Sequence, residues 1–160
     1  MDEILAQWRV ERPDLNVAAL GLYGRLFRIA HLSDDALAKG LSPHGLQPGW
    51  FDLLAALRRA GAPYELNPTR LMRATLLSSS GMTKRLDRIE AAGLIERRPD
   101  PHDRRGTLVC LTRRGRNVID RAVETHVGNE RRLLAALTAA ERRTLDRLLK
   151  NLLIELERPN

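Results

Sequence analysis

The stretch that decides the fold is SSSGMTKRLDRIEAAGLIERRPDPHDRRGTLVCLTRRG, residues 78–115. In its first part, Met82, Leu86 and Ile89 recur at helical spacing, and Gly93 marks the end of that helix. Beyond Gly93, residues 94–98 and 107–111 are β-rich, while Pro, Gly and charged residues at 99–106 indicate a loop. The stretch therefore predicts a helix followed by a β-hairpin with a long, charged tip.

A shorter helix is predicted just before this stretch. Asn67 and Pro68 form a cap-plus-proline start, and the helix extends to about Leu76. Ser78–Ser80 can then cap the next helix. Two short helices joined by a tight turn are typical of a helix-turn-helix.

The flanks of this unit are helical as well. Apolar periodicity, prolines and glycines predict four further helices, three before this unit and one after it. They cover residues 2–9, about 16–40, 48–60 and 112–137, and Thr112 can cap the last of these. Thr138 with Glu141 forms a capping box for one more helix at the end of the chain. The fold class is therefore mainly α with a small β-hairpin wing, a winged helix-turn-helix in a single domain.

The charge balance predicts a polyanionic partner. The 160 residues contain 27 Lys and Arg against 20 Asp and Glu, for a formal net charge of +7. Such an excess attracts nucleic acid or an anionic membrane surface. Nearly all of the cations are Arg, whose fork grips phosphates and guanine edges, which favours nucleic acid. A GC-rich genome is the alternative explanation for the Arg content.

Other function classes find little support. We see no glycine-rich phosphate loop, no metal-ligand histidine pair and no nucleophile elbow, so we expect neither an enzyme nor a metal or cofactor. We expect a cytoplasmic protein, because there is one cysteine, Cys110, and no signal-like or membrane-spanning apolar run. Cys110 lies in a predicted strand, where a core role is favoured over an oxidation sensor.

The helix predicted between Ser78–Ser80 and Gly93 offers a candidate surface for reading DNA. With Met82, Leu86 and Ile89 inward, the polar side chains fall on the opposite face. The second helix of such a pair normally enters the major groove. We expect contacts to base edges and phosphates from Ser80, Thr83, Lys84 and Arg88. An ordinary solvated face is the alternative.

Arginines concentrate in the hairpin. Seven of them lie between residues 97 and 116, where Asp100 and Asp103 are the acids. Such density is self-repelling unless an anion neutralises it. We expect Arg104 and Arg105, at the tip, to reach the adjacent minor groove.

Four segments of the chain resemble the MarR family: SSGMTKRLDRIE at 79–90, GLI at 93–95, DPHDRRG at 100–106 and LTRRG at 111–115. The resemblance implies a homodimer formed by interleaved N- and C-terminal helices, about 1–42 and 112–160. It also implies a DNA-binding lobe, about 43–111, on a double-stranded, pseudo-palindromic operator. Such proteins are usually repressors that a small phenolic or anionic effector releases from DNA.

Further segments resemble the urate-responsive branch of that family: QWR at 7–9, ERPDL at 11–15, GRL at 24–26, HGL at 44–46 and FDLL at 51–54. The resemblance implies a ligand pocket formed by Trp8, Asp52 and Arg85. Independently, Arg85 lies at the edge of the apolar helix face, from which it can point into the lobe. Two alternatives stay open: Trp8 covers a dimer seam, and Asp52 with Arg85 forms only a structural ion pair.

His31 is a candidate pH sensor. It lies in the long helix expected at the dimer, where protonation of two copies would bring like charges together. A packed or solvated histidine is the more common case. Two rival functions also stay open: a winged helix that binds protein rather than DNA, and an architectural protein that coats DNA without choosing a sequence.

Overall fold

The computed structural model describes residues 1–75 and 81–158. Its elements, in chain order, are α1 (Asp2–Glu11), α2 (Ala18–Leu41), a 3₁₀ turn (Ser42–His44), α3 (Pro48–Arg59), β1 (Glu65–Leu66), α4 (Pro68–Arg73), α5 (Met82–Ala91), β2 (Ile95–Asp100), β3 (Asp103–Leu111), α6 (Arg113–Leu133) and α7 (Ala139–Leu156). The mainly helical fold with a small sheet confirms the predicted class.

Helix α3 lies at the centre of the core. Its Leu53, Leu54 and Leu57 are fully buried, and it packs against α4, α5, α6 and β3. Several of the elements around it add large apolar side chains to the same core. Fully buried examples are Leu41, Leu71, Ile89, Val109 and Ile119.

Three helix starts predicted from capping residues are confirmed. The Asn67 side chain accepts a hydrogen bond from the Arg70 amide at 2.8 Å. Thr112 Oγ1 accepts from the Gly115 amide at 2.9 Å, and Thr138 forms the capping box with Glu141. Each cap satisfies an amide that has no partner inside its helix. Helix α6 ends at Leu133 rather than near Leu137, because the chain turns there to enter α7.

Helix α5 begins differently from the prediction. Its N-cap is Gly81, in the left-handed conformation with φ 75°, and no side chain among the described residues caps the helix. A glycine suits this position because a Cβ makes positive φ costly. Ser78–Ser80, the predicted caps, lie outside the described residues.

The predicted loop over residues 99–106 is wrong, because the strands continue through it. Pairing of β2 with β3 runs from Ile95↔Leu111 to Pro99↔Thr107 and, after a shift of register, ends at Asp100↔Asp103. Residues 101–102 make the turn, and residues 104–106 of β3 form an irregularity that has no partner on β2. The Asp100 side chain accepts from the His102 amide, and that of Asp103 from the Arg105 amide, both at 2.9 Å. The sheet order is β1-β3-β2, so the proline in β2 sits in an edge strand, where a missing N–H is tolerated.

Helix α6 is joined closely to the chain that enters β2. A Cβ on Gly115 would lie 1.9 Å from the Leu94 carbonyl oxygen, so only glycine fits there. The Thr112 hydroxyl donates at the same point, 2.8 Å from the Gly93 carbonyl oxygen. The position of the N-terminal end of α6 relative to the hairpin is therefore fixed by close packing and by a hydrogen bond.

Helix α1 docks on α2 over two glycines. A Cβ on Gly21 would lie 2.7 Å from Leu5 Cδ1, and one on Gly24 would lie 2.4 Å from Met1 Cε. Leu5 is buried in this contact, and Arg25 pairs with Asp2 beside it. The seam fixes α1 along the first half of α2.

Helices α1, α2 and α7 expose many large apolar side chains. No residue of α7, which the structure describes in full, is buried. The exposed side chains on these helices include Ile4, Trp8, Leu22, Tyr23, Phe27, Ile29, Leu148, Leu152, Leu153 and Leu156. A patch of this kind is typical of a protein–protein interface. None of the described helices is both long and apolar enough to span a membrane.

Candidate nucleic-acid interface and effector site

The outward face of α5 carries the side chains that the helical spacing predicted. Met82, Leu86 and Ile89 are buried, whereas Thr83, Lys84 and Arg88 are exposed. Ser80 lies outside the described residues. The exposed face offers a hydroxyl, an ammonium and a guanidinium, which are groups that bond to base edges and phosphates.

The wing presents a second basic surface. Arg98 and Arg105 are exposed, and a shallow hollow of about 520 Å³ lies beside them, lined also by Arg97, Pro99, Gly106 and Thr107. The side chain of Arg104 lies outside those that the structure describes. Positive charge around a narrow hairpin suits contact with a phosphate backbone or a minor groove.

Arg97 connects α5 to the wing. Its Nε donates to Glu90 Oε2 at 2.8 Å and its amide donates to Glu90 Oε1 at 2.8 Å. Its Nη2 also donates to Asp87 Oδ1 at 2.5 Å. The hydrogen bond from Arg97 lowers the pKa of the Glu90 carboxyl, so this pair is fully ionised at neutral pH.

This contact corrects the charge argument made from the sequence. Arg97 pairs with acids of α5, and Arg98 pairs with Glu96, so the arginines of the hairpin are not all free to meet an external anion. The acids involved lie before residue 97, outside the segment whose charges were compared. Arg105 has no such carboxylate partner among the described residues.

Two of the three residues implied as a ligand pocket lie near one another. Asp52, on α3, is half-buried, and burial raises its pKa, while the charges of His126, Arg59 and Arg85 oppose that rise. Gly49 leaves space for the Arg85 side chain, whose Nε would lie 2.9 Å from a Cβ at that position. Within the described part of the chain, Asp52 makes no direct ion pair, which does not support the ion-pair alternative.

Trp8 occupies a different place. It lies on α1, which packs on α2, and its side chain is 42% exposed. The single chain therefore brings Asp52 and Arg85 together and leaves Trp8 on the apolar surface of α1 and α2.

A pocket of about 740 Å³ opens between α3 and α6. Its lining residues are Phe51, Ala55, Arg58, Arg59, Asp120, Val123, Glu124 and His126. The rings of Phe51 and His126 lie 4.4 Å apart, centroid to centroid. An apolar wall with a few polar groups is typical of a small-molecule site. Sequence reasoning missed His126, because its neighbours lie on α3, far away in the chain.

Tyr64 sits at the edge of this pocket region between two arginines. The guanidinium groups of Arg58 and Arg116 lie 5.1 and 5.0 Å from its ring centroid. Arg58 Nε also donates to Asp120 Oδ1 at 2.7 Å. The cluster holds α3, the turn before β1 and α6 together, and it leaves Asp120 neutralised.

The two candidate sensors differ in their surroundings. His31 is exposed on α2, within the apolar surface of that helix. Cys110 is 3% exposed, and its Sγ donates to Glu65 Oε2 at 3.3 Å. Burial and the Glu65 carboxylate raise the pKa of Cys110 to about 11, so the sulfur stays a thiol, as the core interpretation expects.

Comparison with known proteins agrees with this geometry. Residues 44–106 match the family model described as MarR family. The chain is 43% identical to the HTH-type transcriptional regulator PecS of Dickeya dadantii over 93% of this chain and 90% of that protein. It is 33% identical to the multiple antibiotic resistance protein MarR of Escherichia coli over 81% and 90% of the two chains. A crystal structure of a mutant of that MarR with operator DNA superposes with a TM-score of 0.74 at 30% identity, covering 86% of this chain and 97% of the other.

Proposed function

The chain belongs to the MarR family of DNA-binding transcriptional regulators, and on that premise we propose that it is a homodimeric, sequence-specific repressor released by a small anionic or aromatic effector. The observation that carries the proposal is the bridge from Glu90 and Asp87 to Arg97. It ties the polar face of α5 to the arginine-rich hairpin, so one lobe offers two linked surfaces to a duplex.

We assign the DNA contacts by surface. Ser80, Thr83, Lys84 and Arg88 are proposed for the major groove, where they meet base edges and phosphates. Arg104 and Arg105 are proposed for the minor groove beside it. Support comes from the exposure of Thr83, Lys84, Arg88 and Arg105.

A second copy of the chain is proposed to cover the apolar surface of α1, α2 and α7. The N- and C-terminal regions, about 1–42 and 112–160, would then form the dimer, and residues 43–111 the lobe. Two lobes related by a two-fold axis fit a pseudo-palindromic operator. We propose a cytoplasmic location, since a regulator of this kind acts on chromosomal DNA.

The effector site is proposed to include Asp52 and Arg85, and Trp8 of α1 is proposed to line the edge of the same site. The similarity to PecS and the branch motifs support urate as the first candidate. A half-buried carboxylate beside an arginine that belongs to α5 gives an effector a direct route to the DNA-reading helix. In this arrangement an anion would bind to Arg85 and weaken the electrostatic interaction of Arg85 with Asp52.

A gel shift tests the DNA proposal. Binding to the gene's own upstream region is compared with binding to a random duplex of equal length and at the same salt concentration, because affinity for DNA falls steeply with salt. We expect a preference of at least about 10³-fold, the low end for specific binders. Equal binding would support an architectural protein, and no binding would support a protein-interaction module.

The effector proposal is tested with the same DNA. Urate added to the complex is expected to release the upstream fragment, and intrinsic tryptophan fluorescence is expected to report binding without DNA. A Trp8→Phe variant separates the response of Trp8 from that of Trp50, which packs against the core. Unchanged fluorescence and unchanged gel shifts with urate and related purines and phenols would contradict the effector assignment.

A further inference from the structure

Tyr64 has an uncommon backbone conformation for a residue that carries a side chain. Its φ is 65°, in the left-handed region that a Cβ makes costly. Its amide closes the turn by donating to the Gly61 carbonyl oxygen at 2.6 Å. Strain of this kind persists where surrounding contacts hold it, and it is concentrated at functional sites. The contacts of Tyr64 therefore indicate what it does.

Two guanidinium groups lie over the Tyr64 ring. Those of Arg58, on α3, and Arg116, on α6, are 5.1 and 5.0 Å from the ring centroid, which makes each an attractive cation–π contact. Asp120 holds both cations, because its two oxygens lie 2.7 Å from Arg58 Nε and 3.9 Å from Arg116 Nε. We call these four residues the Tyr64 cluster.

The Tyr64 cluster is joined to the strand that leads out to the wing. The Tyr64 carbonyl oxygen accepts a hydrogen bond from the Leu111 amide, the last of β3, at 3.0 Å. Strand β1 pairs with β3 just beyond this point. Arg116 lies at the start of α6, which follows β3 almost directly. The cluster therefore fixes the C-terminal end of β3 relative to α3 and α6.

The hairpin is held to the lobe at both of its strands. On one side, Arg97 of β2 bonds the acids of α5. On the other side, β3 pairs with β1, which has two residues and therefore forms few ladder hydrogen bonds. The Tyr64 cluster adds a second connection on that side.

The distance from this connection to the wing tip makes its geometry important. Leu111 and Arg105 are six positions apart in β3, which corresponds to about 20 Å along a strand. A change of about 10° in the direction of β3 would therefore move Arg105 by about 3.5 Å. Hydrogen-bond lengths vary by about half an ångström, so such a movement would break a contact with DNA.

We propose that Tyr64 is a positioning residue for the wing: its cluster sets the direction in which β3 leaves the lobe and so places Arg104 and Arg105 at the minor groove. Tyr64 acts through β3 and touches no DNA in this arrangement. The inference rests on the proposed wing contact and deepens it, because it adds a residue of the turn before β1 to the machinery that binds DNA.

Tyr64→Asn is the test variant, because asparagine tolerates positive φ and keeps the turn while the ring is removed. Tyr64→Phe keeps the ring and is the conservative variant. In filter binding to a random duplex, we expect Tyr64→Asn to bind about fivefold more weakly and with a salt slope smaller by about 1. Tyr64→Phe should stay within about twofold of the wild type, since both rings attract cations. Wild-type affinity in Tyr64→Asn would overturn the proposal.

A double-mutant cycle shows whether Tyr64 acts through the wing. When Arg104 and Arg105 are both replaced by Ala, the further change Tyr64→Asn should alter binding by less than about twofold. An equal loss in both backgrounds would show a general loss of structure and overturn the positioning role. If the wing replacements alone leave binding unchanged, the proposed wing contact and this inference fail together. If they weaken binding and Tyr64→Asn does not, only this inference fails.

Arg116→Ala and Arg121→Ala form a matched pair on α6. Each removes one positive charge, but Arg116 lies over the Tyr64 ring, whereas Arg121 Nε donates to the Asn117 carbonyl oxygen of its own helix at 3.2 Å. We expect Arg116→Ala to weaken binding about fivefold and Arg121→Ala to stay within about twofold. Equal losses would show that the charge of α6, rather than the cluster, sets the affinity.

The position of the wing is measured directly with a nitroxide label. His102 is exposed at the turn of the hairpin and Cys110 is buried, so the label attaches to His102→Cys. Pulsed electron paramagnetic resonance of the DNA-free dimer should give one narrow distance between the two labels, and Tyr64→Asn should broaden or shift it. Identical distributions would overturn the proposal. Thermal melting shows whether each variant folds, and Arg116→Ala takes the same measurement if Tyr64→Asn does not.

Discussion

The neighbours of Cys110 decide its chemistry. Burial and the Glu65 carboxylate raise its pKa to about 11, so the reactive thiolate is scarce at neutral pH. We expect iodoacetamide at pH 7.5 to label Cys110 at least 100-fold more slowly in the native protein than in urea. Mass spectrometry of timed samples measures both rates. Native labelling as fast as that of the unfolded chain would show an accessible sulfur and revive an oxidation-sensing role.

Lys84 and Arg105 are expected to contribute to DNA binding in different ways. Lys84→Ala removes a group that we propose to face base edges, so it should alter sequence preference as well as affinity. Arg105→Ala removes a wing charge, so it should weaken binding to all duplexes and reduce the salt slope by about 1. Filter binding at four salt concentrations on specific and random DNA separates the two. An unchanged salt slope in Arg105→Ala would contradict the wing assignment.

At the scale of elements, the tie between α5 and β2 is electrostatic and depends on pH. The pKa of Glu90 is lower in the folded protein than in the unfolded chain, where it is about 4.3. The Glu90–Arg97 pair therefore stabilises the folded protein fully above that pH. This stabilisation is lost as the pH falls through the folded-state pKa of Glu90. Glu90→Gln should therefore lower the free energy of unfolding by about 1 kcal/mol at pH 7, since the pair is partly exposed.

Urea denaturation at pH 7 and at pH 3 measures this difference. The gap between wild type and Glu90→Gln should shrink at pH 3, because the Glu90 carboxyl is protonated in the unfolded chain there and part of the stabilisation is lost. Glu96→Gln serves as the control, because the Glu96–Arg98 pair lies within one exposed strand and should contribute less. A gap that is the same size at both pH values would show that the charge of Glu90 is irrelevant.

Local chemistry accounts for the elements that the sequence predicted well. Asn67, Thr112 and Thr138 cap their own helices, so the residues that define these starts lie within a few positions of one another. The strands of the hairpin are longer than the sequence predicts, because Pro99 lies in an edge strand, where a missing N–H is tolerated. Strand β1 has two residues, too few for any alternation to be visible.

Some residues of the candidate site can also be predicted from local sequence, whereas others depend on the tertiary fold. The exposed Thr83, Lys84 and Arg88 follow from helical periodicity alone. Arg97 and His126 do not, because the role of each depends on partners that only the tertiary fold brings close. Asp52 and Arg85 are implied by resemblance to a family, and the structure adds the partial burial of Asp52 and its electrostatic interaction with Arg85.

At the scale of the whole molecule, the apolar surface of α1, α2 and α7 should make the chain a dimer. Leu152 is 43% exposed on α7, and Leu152→Glu would place a charge in the proposed interface. We expect dissociation to monomers at micromolar concentration and loss of tight operator binding. Light scattering after gel filtration measures the mass.

A control on the same helix keeps this test specific. Lys150→Glu also introduces an acid, but at an exposed polar position of α7, and should leave the dimer intact. Dimers in both variants would contradict the assignment of this face, and monomers in both would indicate a general effect of charge on α7.

The tight joint where Gly115 meets Leu94 gives α6 a mechanical role. The helix has 21 residues and is therefore about 31 Å long. Its N-terminal end is held tightly against the base of the hairpin by the contact of Gly115 with Leu94, so the two move together. If α6 tilts by about 4° about its C-terminal end, its N-terminal end, which contacts the hairpin, moves by about 2 Å. A small rotation between two subunits would therefore move both hairpins by the same distance as the ends of α6. Such a movement would misalign the hairpins with the DNA grooves while every helix and strand stays folded.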